Sequence, residues 1–281
     1  MPFRSFDLRL PHIRLAAIEI GQGPLALLCH GITANAHVFE PLMELLAGQF
    51  RCVSLDQRGH GASDKPIDGY SAEHYADDIG LTVRELAAGP AIVIGHSLGA
   101  RNALVAGVKH RNEVRAVIAI EFVPFIETAV FIALDSRVAG GEQLFASNDA
   151  VRQYLASRYV NLPPDAIERR ARFGYEFARD GIRTLGFRPR ADARAMACTS
   201  TGLREDLAPF VESIDVPTLL IRGADSKLVS REAWMRTRAL RPDLQQVELA
   251  DADHYAPEEV PRAVAATVLE FWKSIEVDGS R

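Results

Sequence analysis

Through the first 120 residues, short apolar runs alternate with stretches of helical periodicity. Residues 3–10 and 13–20 alternate apolar with polar side chains and predict an opening pair of strands, each with one buried face. The runs at 25–29, 52–55, 91–94 and 116–120 are apolar throughout, as strands covered on both faces are. Between them the spacing predicts helices over about 39–47, 71–88 and 98–110, with Ser71 as the N-cap of the second and Gly89-Pro90 stopping it. After Glu121 the pattern changes. Residues 124–205 are helical in period, rich in arginine and aromatics, and without a convincing strand. Strand patterns return at 218–222 and 246–249, flanking a helix near 230–240, and a last helix covers about 260–273. Such alternation predicts an α/β fold: a mainly parallel eight-stranded sheet with helices on both faces. Residues 1–123 and 206–281 would form the core and 124–205 an inserted helical cap.

Composition narrows the function. With 281 residues, 48% hydrophobic and 25% charged, the chain has material for a sizeable core and does not resemble a disordered protein. A net charge of -5 argues against nucleic acid, because phosphate binding needs clustered positive charge. The N-terminus lacks a signal-peptide core, and no run reaches the ~18 apolar residues of a membrane span. Cys29, Cys52 and Cys198 are odd in number and lack metal-ligand spacing, so reduced thiols in the cytoplasm are expected, with Cys29 and Cys52 in the core. Between 125 and 204 stand twelve arginines and no lysine, against nine carboxylates.

Gly95-His96-Ser97-Leu98-Gly99 matches G-x-S-x-G between a predicted strand and a predicted helix. Side chains two positions either side of the serine would collide in so tight a turn, hence the glycines. Ser97 is the candidate nucleophile, above a helix N-terminus that favours a developing oxyanion. His30-Gly31-Ile32 follows the strand at 25–29, where a second oxyanion donor belongs, so the two donors are assigned to the N–H groups of Ile32 and Leu98, with His30 structural. Asp56 and Arg58, in Asp56-Gln57-Arg58-Gly59-His60-Gly61, would lock a tight loop by charged hydrogen bonds. His254, after the last strand pattern, is the candidate general base. His12, His37, His74, His96 and His110 are expected at the surface or in packing, and Arg101 in a structural role.

These motifs resemble the α/β-hydrolase superfamily, in which the triad runs Ser, acid, His along the chain. Most members carry the acid after the seventh strand, three residues beyond a glycine; here that spot is Ser226, with Asp225 one residue early. The end of the sixth strand offers Glu121, where the haloalkane dehalogenases, similar in fold and in Glu121-Phe122-Val123-Pro124, carry theirs. Glu121 is the first choice, Asp225 the alternative, and Asp253 a third candidate.

A closer likeness runs through His30–Thr33, Phe39–Met43, Tyr75–Ile79, Gly95–Asn102, Ser226–Ser230 and Ala252–Tyr255, over nearly the whole chain. These segments resemble the enamide-dicarboxylate hydrolases of bacterial vitamin B6 degradation, whose acid follows the sixth strand as aspartate. That resemblance implies hydrolysis of a small enamide dicarboxylate such as 2-(acetamidomethylene)succinate, without cofactor or metal. It points to Arg137 and Arg158 as carboxylate partners, with Tyr159 and Tyr255 shaping the pocket. The expected partner is a small anionic molecule, not nucleic acid or membrane, and a homodimer is compatible with this reading. Two rivals stand beside it: a broad carboxylesterase or C–C hydrolase using the same triad, and a non-catalytic ligand receptor on the same fold.

Overall fold

The computed structural model describes residues 2–139, 144–180 and 183–278. Its sheet begins with Arg4–Leu10 (β1) and Ile13–Ile20 (β2), paired antiparallel. Leu25–Cys29 (β3), helix Glu40–Leu46 (α1), Arg51–Leu55 (β4), helix Ala72–Leu86 (α2), Ala91–His96 (β5), helix Leu98–Lys109 (α3) and Val114–Ile120 (β6) follow. The chain then leaves the sheet through Thr128–Ala139 (α4), Asn148–Arg158 (α5), Pro164–Gly174 (α6), Tyr175–Asp180 (β7), Arg183–Pro189 (β8), Ala193–Gly202 (α7) and Ala208–Ser213 (α8). It returns as Thr218–Gly223 (β9), Arg231–Leu240 (α9), Gln245–Leu249 (β10), Ala256–Glu259 (α10) and Pro261–Asp278 (α11). The eight-stranded sheet has the order β1-β2-β4-β3-β5-β6-β9-β10, with every pairing from β4 onward parallel.

The continuous apolar runs are explained by the two layers they feed. Along β3, Leu25, Leu27 and Cys29 face α2 and α3, packing with Tyr75, Ile79 and Leu104. Ala26 and Leu28 face the other side, with Met43 of α1 and Val268 and Trp272 of α11. Both sets are buried, and each such aliphatic side chain is worth roughly 1.5–3 kcal/mol removed from water. Ser71 caps α2 by accepting the His74 N–H. Among the described residues no helix is long and apolar enough to cross a membrane.

The segment between β6 and β9 carries a small core of its own, in which Val151 and Leu155 of α5 meet Ala166 and Ile167 of α6. Helical periodicity predicts no strand there, whereas β7 and β8 pair antiparallel as a ribbon. The apolar alternation is short in each strand, Tyr175-x-Phe177 in β7 and Leu185-x-Phe187-x-Pro189 in β8, and is broken by arginine, glycine and proline; pairing brings Phe177 onto Phe187, ring centroids 5.2 Å apart.

Candidate active site

The parallel strands deliver their C-terminal ends to one edge of the sheet, the usual place for a site in an open α/β sheet. Ser97 stands there between β5 and α3 with φ 54° and ψ -116°, a region that L-residues rarely enter and that costs roughly 1–3 kcal/mol. The neighbouring glycines make the turn possible. A Cβ on Gly95 would lie 2.1 Å from the Gly99 carbonyl oxygen, and one on Gly99 only 1.9 Å from that of Cys29. Leu98, first residue of α3, has an N–H with no intrahelical acceptor. Neither it nor the Ile32 N–H donates elsewhere among the described residues.

Facing Ser97 across one cavity is His254, on the turn from β10 into α10. Its Nδ1–H donates to Glu121 Oε2 at 3.2 Å, which leaves Nε2 as the nitrogen able to accept a proton. Glu121 directly follows β6 at φ 60°, is fully buried, and continues the sheet by donating its N–H to Ile221. Its carboxylate also accepts from the Gly223 N–H at 2.7 Å and the Ser226 hydroxyl at 2.6 Å. Burial pushes the carboxyl up to about 7, against the opposing pull of those two donors. Burial, reinforced by the Arg137 charge, pulls the His254 imidazole below its ordinary value. A neutral imidazole is the form that accepts a proton.

Asp225, the alternative acid, is exposed, and its carboxylate does not reach His254 among the described residues. One position along a turn reverses a side chain's direction, so Ser226 points inward and Asp225 outward. Asp253 accepts from the His254 backbone N–H, not from its ring. Ser226, at the spot where the superfamily usually has its acid, instead donates its hydroxyl to the Glu121 carboxylate, a connection that sequence spacing did not predict.

A second set of hydrogen bonds holds the loop carrying Ile32. His30 donates from Nδ1 to the Gly31 carbonyl and accepts the Gln57 N–H at Nε2, while His60 accepts the Thr33 N–H. Burial lowers these imidazoles to about 4 and about 3, so both stay neutral acceptors. Asp56 accepts the Ala36 and Ala62 N–H groups, and Arg58 grips Asp78 through two bonds of 2.7 Å. Arg101 is buried behind the elbow, bonded to Gly202 and Glu205. His96 does more than pack: its Nε2–H donates to the His254 carbonyl at 2.7 Å and ties the two halves of the site together.

Arg137, Arg158, Tyr159 and Tyr255 all line the cavity that holds Ser97 and His254. Arg137 donates to the Tyr255 hydroxyl at 3.1 Å and Arg158 to the Tyr154 hydroxyl at 3.0 Å. Tyr159 and Tyr255 meet edge to face at 5.1 Å. Sequence reasoning passed over Arg170, which lines the same cavity, is ion-paired with buried Glu258, and lies 4.5 Å over the Tyr159 ring. Only the fold distinguishes it from the other arginines between β6 and β9.

A profile of the alpha/beta hydrolase fold family matches residues 24–261, and the chain belongs to that family. It is an α/β hydrolase with an eight-stranded, mainly parallel sheet. Among its relatives, 2-(acetamidomethylene)succinate hydrolase of Mesorhizobium japonicum is 49% identical over 269 residues, covering 96% of this chain and 95% of that protein. A crystal structure of E-2-(acetamidomethylene)succinate hydrolase superposes with a TM-score of 0.93 at 47% identity, over 97% of this chain and all of the other. Haloalkane dehalogenase 2 of Mycobacterium tuberculosis is 27% identical over 292 residues, covering 96% of this chain and 95% of its own.

Proposed function

We propose that this chain is a serine hydrolase that cleaves the amide C–N bond of a small, anionic enamide dicarboxylate, with 2-(acetamidomethylene)succinate as its substrate. The observation that carries this reading is the joint lining of one cavity by Ser97, the Glu121-bonded His254 and three arginines, Arg137, Arg158 and Arg170. The likeness to the Mesorhizobium japonicum enzyme supports the same substrate. Residues 124–205 act as a cap over a core of residues 1–123 and 206–281. The three free cysteines, two of them buried, suit a cytoplasmic enzyme.

In the first half-reaction Ser97 Oγ bonds to the carbonyl carbon as its proton passes to His254 Nε2. The carbonyl π pair moves onto oxygen, and the N–H groups of Ile32 and Leu98 stabilise that charge. Glu121 holds the ring and offsets the imidazolium. The C–N bond then breaks with its electron pair on nitrogen, which takes the proton from His254 as the enamine leaves. Conjugation with the alkene and carboxylate spreads that electron pair and eases departure. Water, deprotonated by His254, attacks the acyl-serine; the C–O bond to Ser97 breaks, the hydroxyl is restored and the carboxylic acid is released. Arginine's planar fork fits the substrate carboxylates better than lysine's point charge.

The test is hydrolysis of 2-(acetamidomethylene)succinate beside a neutral ester, p-nitrophenyl acetate, by wild type, Ser97→Ala and Arg158→Ala. Ser97→Ala is expected to lose at least ~10³-fold in kcat on both. Arg158→Ala is expected to raise KM about 10- to 100-fold for the dicarboxylate and leave the ester nearly unchanged. Turnover surviving in Ser97→Ala rules out serine catalysis, and equal effects of Arg158→Ala on the two substrates rule out carboxylate recognition.

A further inference from the structure

The roof over Ser97 is built from two helix pairs whose linings differ, with Arg137 at the end of α4 joining the basic side. In one, α5 and α6 are clipped together by Arg152, which bonds Glu168 at 2.6 and 3.0 Å, and they present Arg158, Tyr159 and Arg170 to the cavity. In the other, Asp135 of α4 accepts from Ser200 of α7 at 2.6 Å and is ion-paired with Arg204 just beyond it. Asp135 is thereby engaged by α7, while Arg137, nearer the end of α4, still lines the cavity. Val130, Phe131 and Leu134 of α4, with Leu203, Phe122 and Leu228, then give the same cavity an apolar wall. Phe131 and Leu134 are only partly buried, as side chains bordering an open space are.

A carbonyl attacked by Ser97 carries two substituents that leave the tetrahedral carbon in different directions. Its oxygen is claimed by the Ile32 and Leu98 N–H groups. A dicarboxylate amine portion is drawn to the guanidinium groups, where a charged head finds partners and an alkyl group finds none. The acyl substituent is left with the wall of Val130, Phe131 and Leu134, where a carboxylate would be desolvated without a partner.

We propose that the α4–α7 wall is the acyl pocket, that it takes short unbranched alkyl groups, and that Phe131 and Leu134 set their length. This rests on the serine-hydrolase reading above and deepens it, because it names the wall that receives the acetyl group and the residues that limit the length of the acyl chain. Specificity is thereby divided, with Arg158 and Arg170, joined by Arg137 at the end of α4, selecting the amine portion and the wall of Val130, Phe131 and Leu134 the acyl portion.

The experiment measures kcat/KM for two series carrying acetyl, propanoyl, butanoyl and hexanoyl groups: N-acyl analogues of the enamide dicarboxylate, and neutral p-nitrophenyl esters. Each is run on wild type, Phe131→Ala, Leu134→Ala and the milder Leu134→Val, with active sites titrated by a fluorophosphonate so that only folded enzyme is counted. Each methylene accommodated in an apolar pocket is worth roughly 3- to 4-fold. In wild type, activity is expected to fall at least ~10-fold from acetyl to hexanoyl. In Phe131→Ala and Leu134→Ala the hexanoyl-to-acetyl ratio is expected to rise about 10-fold or more in both series, and about 3-fold in Leu134→Val. Unchanged ratios in titratable enzyme overturn the proposal, as do ratios that move with Arg158→Ala in place of the α4 variants. If no dicarboxylate is hydrolysed, the substrate reading fails, yet the ester series still decides the acyl pocket.

Discussion

Replacing Glu121 by glutamine separates the catalytic use of a buried carboxylate from its cost. The group is fully buried, and burial raises its pKa from an ordinary 4.5 to about 7. A raised folded-state value favours the folded protein below the unfolded pKa, where both states are protonated. That advantage is lost as pH climbs through the folded value, because the unfolded chain ionises first. At ~1.4 kcal/mol per pH unit, the window from 4.5 to about 7 amounts to roughly 3 kcal/mol of stability lost between pH 4.5 and pH 8. The lowered histidines contribute with the opposite sign at acidic pH, since they resist protonation in the fold, so wild type alone does not isolate the effect. The difference between Glu121→Gln and wild type does. Urea unfolding of both proteins at pH 5 and pH 8 should show the variant gaining about 2–3 kcal/mol relative to wild type at the higher pH. In parallel, kcat should fall by roughly 10²–10⁴-fold, because a neutral amide cannot offset an imidazolium. A stability difference that stays flat between the two pH values would refute the claim that Glu121 carries a burial penalty.

Two further outcomes follow from the geometry. Gly99→Ala puts a Cβ 1.9 Å from the Cys29 carbonyl oxygen, so the elbow must shift against β3; a loss of more than ~3 kcal/mol in urea unfolding is expected, and an unchanged midpoint would contradict the close approach. Arg170→Ala strands Glu258 in the interior and should cost about 3–5 kcal/mol, whereas Arg170→Met with Glu258→Leu should cost clearly less; equal losses in thermal unfolding would show that the pair is not the source of the penalty.

Much of this protein was legible in its primary structure, because the signals were local. A strand covered on both faces must be apolar at consecutive positions, and β3 and β5 were visible for that reason. The elbow was visible because a turn that brings Gly95 and Gly99 against backbone admits nothing larger at either position. Helices α2, α3 and α9 lie within a residue or two of their expected bounds, since Ser71, Ser97 and Ser230 sit at their starts. The β7–β8 ribbon escaped notice because the alternation in each strand is only two or three apolar residues long and lies among arginines, a glycine and a proline.

What only the tertiary structure decided is which groups meet. Sequence left Glu121, Asp225 and Asp253 open as partners of His254; contact with the ring is made by Glu121, because its strand end and the β10 turn converge while Asp225 turns outward. The same convergence makes Ser226 a donor to that carboxylate, ties His96 to the His254 backbone and brings Arg170 to the cavity. Residue types and spacing determine which chemistry a chain carries, since they act over a few bonds. Distances between groups more than a hundred residues apart depend on how sheet and helices pack, and no local pattern encodes them.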